Sequence, residues 1–132
     1  MAGRSGGGAK LGDRMVTIDL FRNEENTQSF AAEQKIFGEG DSGDVMYVVV
    51  EGQVDLQVKG RLVEEVGPGG VLGEMALIDT GTRSATAVAK TACKLVAINE
   101  KRFQFLVRQT PNFALQLMRI IADRLRRMDK LL

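Results

Sequence analysis

The chain has no histidine and no tryptophan, one cysteine, two prolines and 5% aromatic residues in a length of 132. Without histidine the commonest general base and metal ligand are missing, so hydrolytic triads and zinc sites lack their parts. No enzymatic activity, metal or cofactor is expected. The lone Cys93 lies in the apolar run Cys93-Lys94-Leu95-Val96; it has no partner for an internal disulfide and reads as a small core residue in a reducing, cytoplasmic setting. No apolar run approaches the roughly 20 residues that cross a bilayer, and the beginning of the chain lacks the hydrophobic stretch of a signal peptide, so no membrane contact is expected. An excess of one charge is also lacking. With 18 basic and 17 acidic residues the net charge is +1, which supplies no overall field toward nucleic acid, so any anion has to be held by local groups.

What remains is the composition of one ordinary domain, 44% hydrophobic and 27% charged, with one core. Met1 to Gly12 is too rich in glycine to pack and reads as a flexible linker or expression remnant, which puts the folded domain at about residues 15–132. Val16, Ile18 and Leu20 alternate with polar residues, and Ser29-Phe30-Ala31 and Lys35-Ile36-Phe37 follow as further short strands. Val45 to Val50 and Val54 to Val58 are β-rich and flank a Glu51-Gly52 turn, so they form a hairpin. Lys59-Gly60 turns into Arg61 to Val66, and Gly67-Pro68-Gly69-Gly70 stops that strand. Thr86 to Ala89 and Lys94 to Ile98 complete the set. So many short strands predict a mainly β fold, an antiparallel β-roll or jelly roll over about residues 16–98, with flanking helices.

After Asn99, a natural N-cap, the period changes to that of a helix over about 100–109, with Phe103, Leu106 and Val107 on one face. Thr110-Pro111 opens a second helix over about 111–130, whose apolar positions are Phe113, Leu117, Ile121, Leu125 and Met128, with Leu132 beyond.

The segment from Gly73 to Thr86 fits no single strand. Met75-Ala76-Leu77-Ile78 has room for about one helical turn, whose first N–H groups can hold a phosphate, and Gly73 allows a close backbone approach. Arg83 offers a permanently charged fork suited to two phosphate oxygens. Glu74 can accept from a sugar hydroxyl, provided the sugar keeps the carboxylate away from the phosphate. Each feature taken alone also has a plain explanation: a bend at Gly73, a solvated arginine at 83.

Together, Gly73-Glu74-Met75-Ala76-Leu77 and Arg83-Ser84-Ala85 resemble the phosphate-binding cassette of the cyclic-nucleotide-binding family. Upstream, Ile36-Phe37-Gly38-Glu39-Gly40-Asp41, Gly43-Asp44, Tyr47 and Gly52-Gln53-Val54 resemble its glycine-turn landmarks. The resemblance covers roughly Thr27 to Leu132. It implies a regulatory sensor in which Glu74 accepts from the ribose 2′-hydroxyl and Arg83 pairs with the cyclic phosphate. Backbone N–H groups near Ala76, Ser84 and Ala85 complete the cradle, beside Gly73 and Met75.

Serine at position 84 occurs in cAMP-binding members, while threonine there marks many cGMP-binding ones, so both nucleotides remain open, with cAMP preferred. The hydroxyl residues that contact the base in bacterial activators are absent after Arg124-Leu125; Arg124, Arg127 or Met128 can cover the purine instead, or Met128 can simply pack on the roll. The resemblance further implies a homodimer through the last helix and a signal transmitted by that helix. Asp123 and Asp129 interrupt its basic run of Arg119, Arg124, Arg126, Arg127 and Lys130, so no direct nucleic-acid binding is expected. Two alternatives stand beside this reading: a nucleotide-independent interaction module with the same fold, and the sensor piece of a transcription factor, channel or kinase.

Overall fold

A computed structural model describes residues 17–79 and 81–131; the glycine-rich start, Val16, Thr80 and Leu132 lie outside it. The strands are β1 (Gln28–Phe30), β2 (Lys35–Phe37), β3 (Val45–Glu51), β4 (Val54–Val58), β5 (Arg61–Val66), β6 (Val71–Leu72), β7 (Thr86–Ala89) and β8 (Cys93–Asn99). The helices are α1 (Met75–Ile78), between β6 and β7, then α2 (Glu100–Gln109) and α3 (Pro111–Leu131). Two antiparallel four-stranded sheets form the roll, with strand orders β1-β8-β3-β6 and β2-β7-β4-β5.

The Val45–Val50 run is apolar throughout because both of its faces are covered. Val49 packs with Val54, Leu56, Val66, Leu72, Ala87, Ala89, Cys93 and Leu95 between the sheets. Met46 and Val48 point the other way, with Val71, Val96 and Ile98, against Leu106 of α2 and Phe113, Leu117 and Ile120 of α3. The β4–β5 hairpin turns at Lys59 (φ 52°) and Gly60 (φ 79°), the two positive φ values of a tight turn that matches strand twist.

Both helix starts follow their caps. Asn99 accepts from the Arg102 amide at 2.9 Å, and Pro111 takes the first position of α3, where its missing N–H costs nothing.

Three expectations need correction. Residues 17–23 form no strand: Ile18 donates its amide to Gly69 O at 2.7 Å and then turns, burying itself and Phe21 against the helices while Leu20 stays exposed. On α2, Leu106 is buried and Phe103 packs edge-on against Phe113, but Val107 is exposed. On α3 the buried line is Phe113, Leu117, Ile120 and Arg124, with Ile121 packed beside it and Leu125 62% exposed. An arginine occupies the core position that the apolar pattern assigned to its neighbour.

Candidate functional site

The site is built around one guanidinium. The loop between β2 and β3 folds back on residues 81–83: Gly43 N donates to Gly81 O, Arg83 N to Asp41 O, and Gly40 N to Arg83 O, each at 2.8 Å. With its backbone held on both sides, Arg83 turns inward and is only 6% exposed. Its Nη1 donates to Val45 O at 2.7 Å and to Gly73 O at 3.2 Å. Its Cζ stands 4.3 Å from the Phe37 ring centroid, a cation–π distance.

Two glycines make room for it. A Cβ on Gly43 would overlap Nε and Cζ, and one on Gly73, whose φ of +76° already favours glycine, would press on Nη1. Among the described residues Arg83 forms no ion pair, and its buried Nε has no hydrogen-bond partner. Burial pulls its pKa below the usual arginine value, against the opposing fields of Tyr47, Asp44, Asp41 and Glu74. A buried cation left in that state is suited to an anion from outside.

The second buried arginine is fully matched. From α3, Arg124 sends Nη1 to Glu74 Oε1 (2.9 Å), Nη2 to Val71 O (2.6 Å) and to Glu64 Oε2 (3.3 Å), and Nε to Glu64 Oε1 (2.6 Å). Burial alone would lower its pKa, but the charges and hydrogen bonds of Glu74 and Glu64 outweigh that and leave it raised. Glu64 reaches this position through a register shift between β4 and β5, where Leu56 pairs with Glu64 and Gln57 with Leu62, skipping Val63. Such bulges re-aim side chains.

Gly73, Glu74, Met75, Ala76, Arg83, Ser84, Ala85, Arg124 and Met128 line a single cleft of about 430 Å³, partly open to solvent. Val58 and Val63 add apolar wall. Arg127 is not among them; its Nη2 is drawn to Glu64 Oε2 at 3.1 Å and it lines the adjoining cavity. The Ala76 amide closes the turn onto Gly73 O at 3.2 Å. The cleft therefore offers an unmatched cation, a carboxylate acceptor and an apolar wall, a set that fits a small anion carrying a hydroxyl and a flat apolar group. Among the described residues no cluster of three or more metal-ligating side chains occurs.

Glu64 and Phe37 were not among the residues singled out for the site. Glu64 left a trace in the sequence: it stands two residues before the buried Val66, on the inward phase of the strand. Phe37 showed as a strand residue and as part of the glycine-turn landmark, without a role toward Arg83.

A family model of the cyclic nucleotide-binding domain matches residues 27–110. The chain is 34% identical over 117 residues to the cyclic AMP receptor protein of Thermus thermophilus, covering 85% of this chain and 54% of that protein. It is 35% identical over 103 residues to a cGMP-dependent protein kinase of Drosophila melanogaster, covering 74% of this chain and 10% of the kinase. The crystal structure of the Thermus thermophilus catabolite activator protein superposes with a TM-score of 0.71 at 34% identity, over 84% of this chain and 55% of that one. The chain thus spans about half the length of the bacterial relative.

Proposed function

Since the chain belongs to the cyclic nucleotide-binding domain family, we propose that its cleft holds cAMP in preference to cGMP and that occupancy is transmitted through α3. The observation that carries this is Arg83, a buried guanidinium without a carboxylate partner among the described residues, lining the same cleft as Glu74. In this reading Arg83 meets the cyclic phosphate, with the amides of Ser84 and Ala85 beside it. Glu74 accepts from the ribose 2′-hydroxyl. The base lies toward Val58, Val63 and Met128. Adenine is favoured on that wall because it carries one exocyclic polar group, an amino group, whereas guanine would bury two, a carbonyl and an amino group, without partners there.

Arg124 and Met128 belong to α3 and line the cleft, so ligand contacts differ between helix-in and helix-out states, which is the requirement for a switch. The fold matched to the family spans residues 27–110; the working unit is taken as 15–132, α3 included. No helix of the described residues is long and apolar enough to cross a membrane, and a cytoplasmic setting is proposed. The chain acts as a regulatory module with no chemistry or cofactor of its own and no direct contact with nucleic acid. A homodimer, if α3 forms one, uses the exposed Leu115, Met118 and Leu125, because Phe113 and Leu117 are committed to the roll.

Thermal unfolding with cAMP, cGMP and 5′-AMP tests the reading. Ligand at about 100 times its Kd stabilises by about 2.7 kcal/mol, on the order of 10 °C for a domain of this size. The expected order is cAMP, then cGMP, with 5′-AMP inert; no shift with either cyclic nucleotide at millimolar concentration would refute it. A second reading, an interaction module independent of nucleotide, is favoured by the way Arg124 already ties α3 to Glu64 and Glu74, and the same null result would support it.

Gly43→Ala supplies an independent check on Arg83. The new methyl group displaces the guanidinium without touching the core, so cAMP affinity is expected to fall about tenfold or more, the scale of one charge-assisted contact, with the melting temperature nearly unchanged. Unchanged affinity by calorimetry would show that Arg83 does not meet the ligand.

A further inference from the structure

The cleft and the adjoining cavity share one wall, the guanidinium of Arg124, which lines both. Its Nε and Nη2 edge faces Glu64, at 2.6 and 3.3 Å, and its Nη1 faces Glu74 at 2.9 Å. Glu64 and Glu74 have side chains 6% exposed, so one cation serves two buried carboxylates.

We infer that Glu64 is a positioning residue of the nucleotide site: by matching the charge of Arg124 from behind, it frees Glu74 to accept from the ligand's ribose. This rests on the reading above, in which Glu74 takes the 2′-hydroxyl. Arg124 is folded in against carboxylates, and leaving its buried charge without either of them would be costly, so it requires at least one. With Glu64 present, that requirement is met on the Nε edge whether or not Glu74 turns toward a sugar. Without Glu64, Glu74 becomes the one carboxylate on Arg124 among these contacts, its negative charge is drawn to the cation, and sharing it with a neutral hydroxyl becomes unfavourable.

Overall affinity does not isolate this role, because deleting a negative charge near a bound anion favours every cyclic nucleotide alike. Dependence on the 2′-hydroxyl does isolate it. Calorimetry with cAMP and 2′-deoxy-cAMP, on the wild type and on the variants Glu64→Gln, Glu64→Asp and Arg127→Ala, is the test. The wild type should prefer the ribose form by about tenfold, the scale of a hydrogen bond to a charged group. Glu64→Gln should lose most of that preference, Glu64→Asp should fall between, and Arg127→Ala, which removes the other cation on Glu64, should retain it.

A wild-type preference in Glu64→Gln overturns the inference, and so does an equal loss in Arg127→Ala. If the glutamine variant unfolds before it can be titrated, Glu64→Asp decides alone, and an unchanged preference there overturns the inference. A wild-type protein that binds neither ligand, or binds both equally, instead refutes the assignment of Glu74 and takes the role of Glu64 with it.

Discussion

Replacing Arg83 by methionine is expected to weaken cAMP binding by about 2 to 4 kcal/mol, roughly thirty- to a thousand-fold, measured by calorimetry. The methionine keeps an apolar stem against Phe37 but offers the phosphate nothing. The stability of the ligand-free protein should change little. The variant loses donors to Val45 O and Gly73 O, but it also relieves the burial of a cation that forms no ion pair among the described residues. The pKa direction carries that sign: a lowered guanidinium pKa means that the folded protein disfavours the charged form. Affinity that survives the substitution would remove Arg83 from the site.

Arg124→Met should behave in the opposite way, with a large loss of stability before any ligand is added. Its removal leaves Glu64 and Glu74 buried without their shared cation, a change that costs about 3 to 5 kcal/mol and lowers the melting temperature by on the order of 10 °C or more. The raised pKa of Arg124 gives the sign, since its partners outweigh the burial. Combining the substitution with Glu64→Gln should recover part of the loss, because the two changes remove opposite charges from one network. Urea unfolding of the two single variants and the double variant measures the coupling, and strictly additive losses would contradict the shared network. The two buried arginines are thus told apart by their partners: one awaits an anion, the other holds α3 to the roll.

The cassette could be read in the sequence because its residues are neighbours along the chain and each has a chemistry of its own: Gly73, Glu74, Arg83. The strands of the roll were legible for a similar reason, with β-branched runs broken by glycine. The glycines at positions 38 to 43 were visible as turns, but not their task of bracing the Arg83 backbone and admitting its head, since that contact joins segments forty residues apart. Glu64 stands in phase with the buried Val66, but a charged residue on the inward side of a strand gives no sign of a partner, and its partner Arg124 lies sixty residues away on α3. The stripe on α3 was misplaced at Leu125 because hydrophobic periodicity assigns charge to solvent, whereas Arg124 is buried with its partners supplied by other elements. Residues 17–20 alternate like a strand, yet a single bond to Gly69 is the backbone pairing found for Ile18, and alternation alone cannot supply a neighbour.

A strand that is apolar on both faces also bears on how the protein assembles. Val45 to Val50 has high β propensity, no charge and no proline, the makings of a sticky segment wherever it is left bare. Its principal neighbour β8 begins at Cys93, and the helical cover for its other face comes later still. Until that distant part of the chain arrives the run has no adequate shelter, so any cut or insertion that delays β8 endangers solubility before it touches the nucleotide cleft.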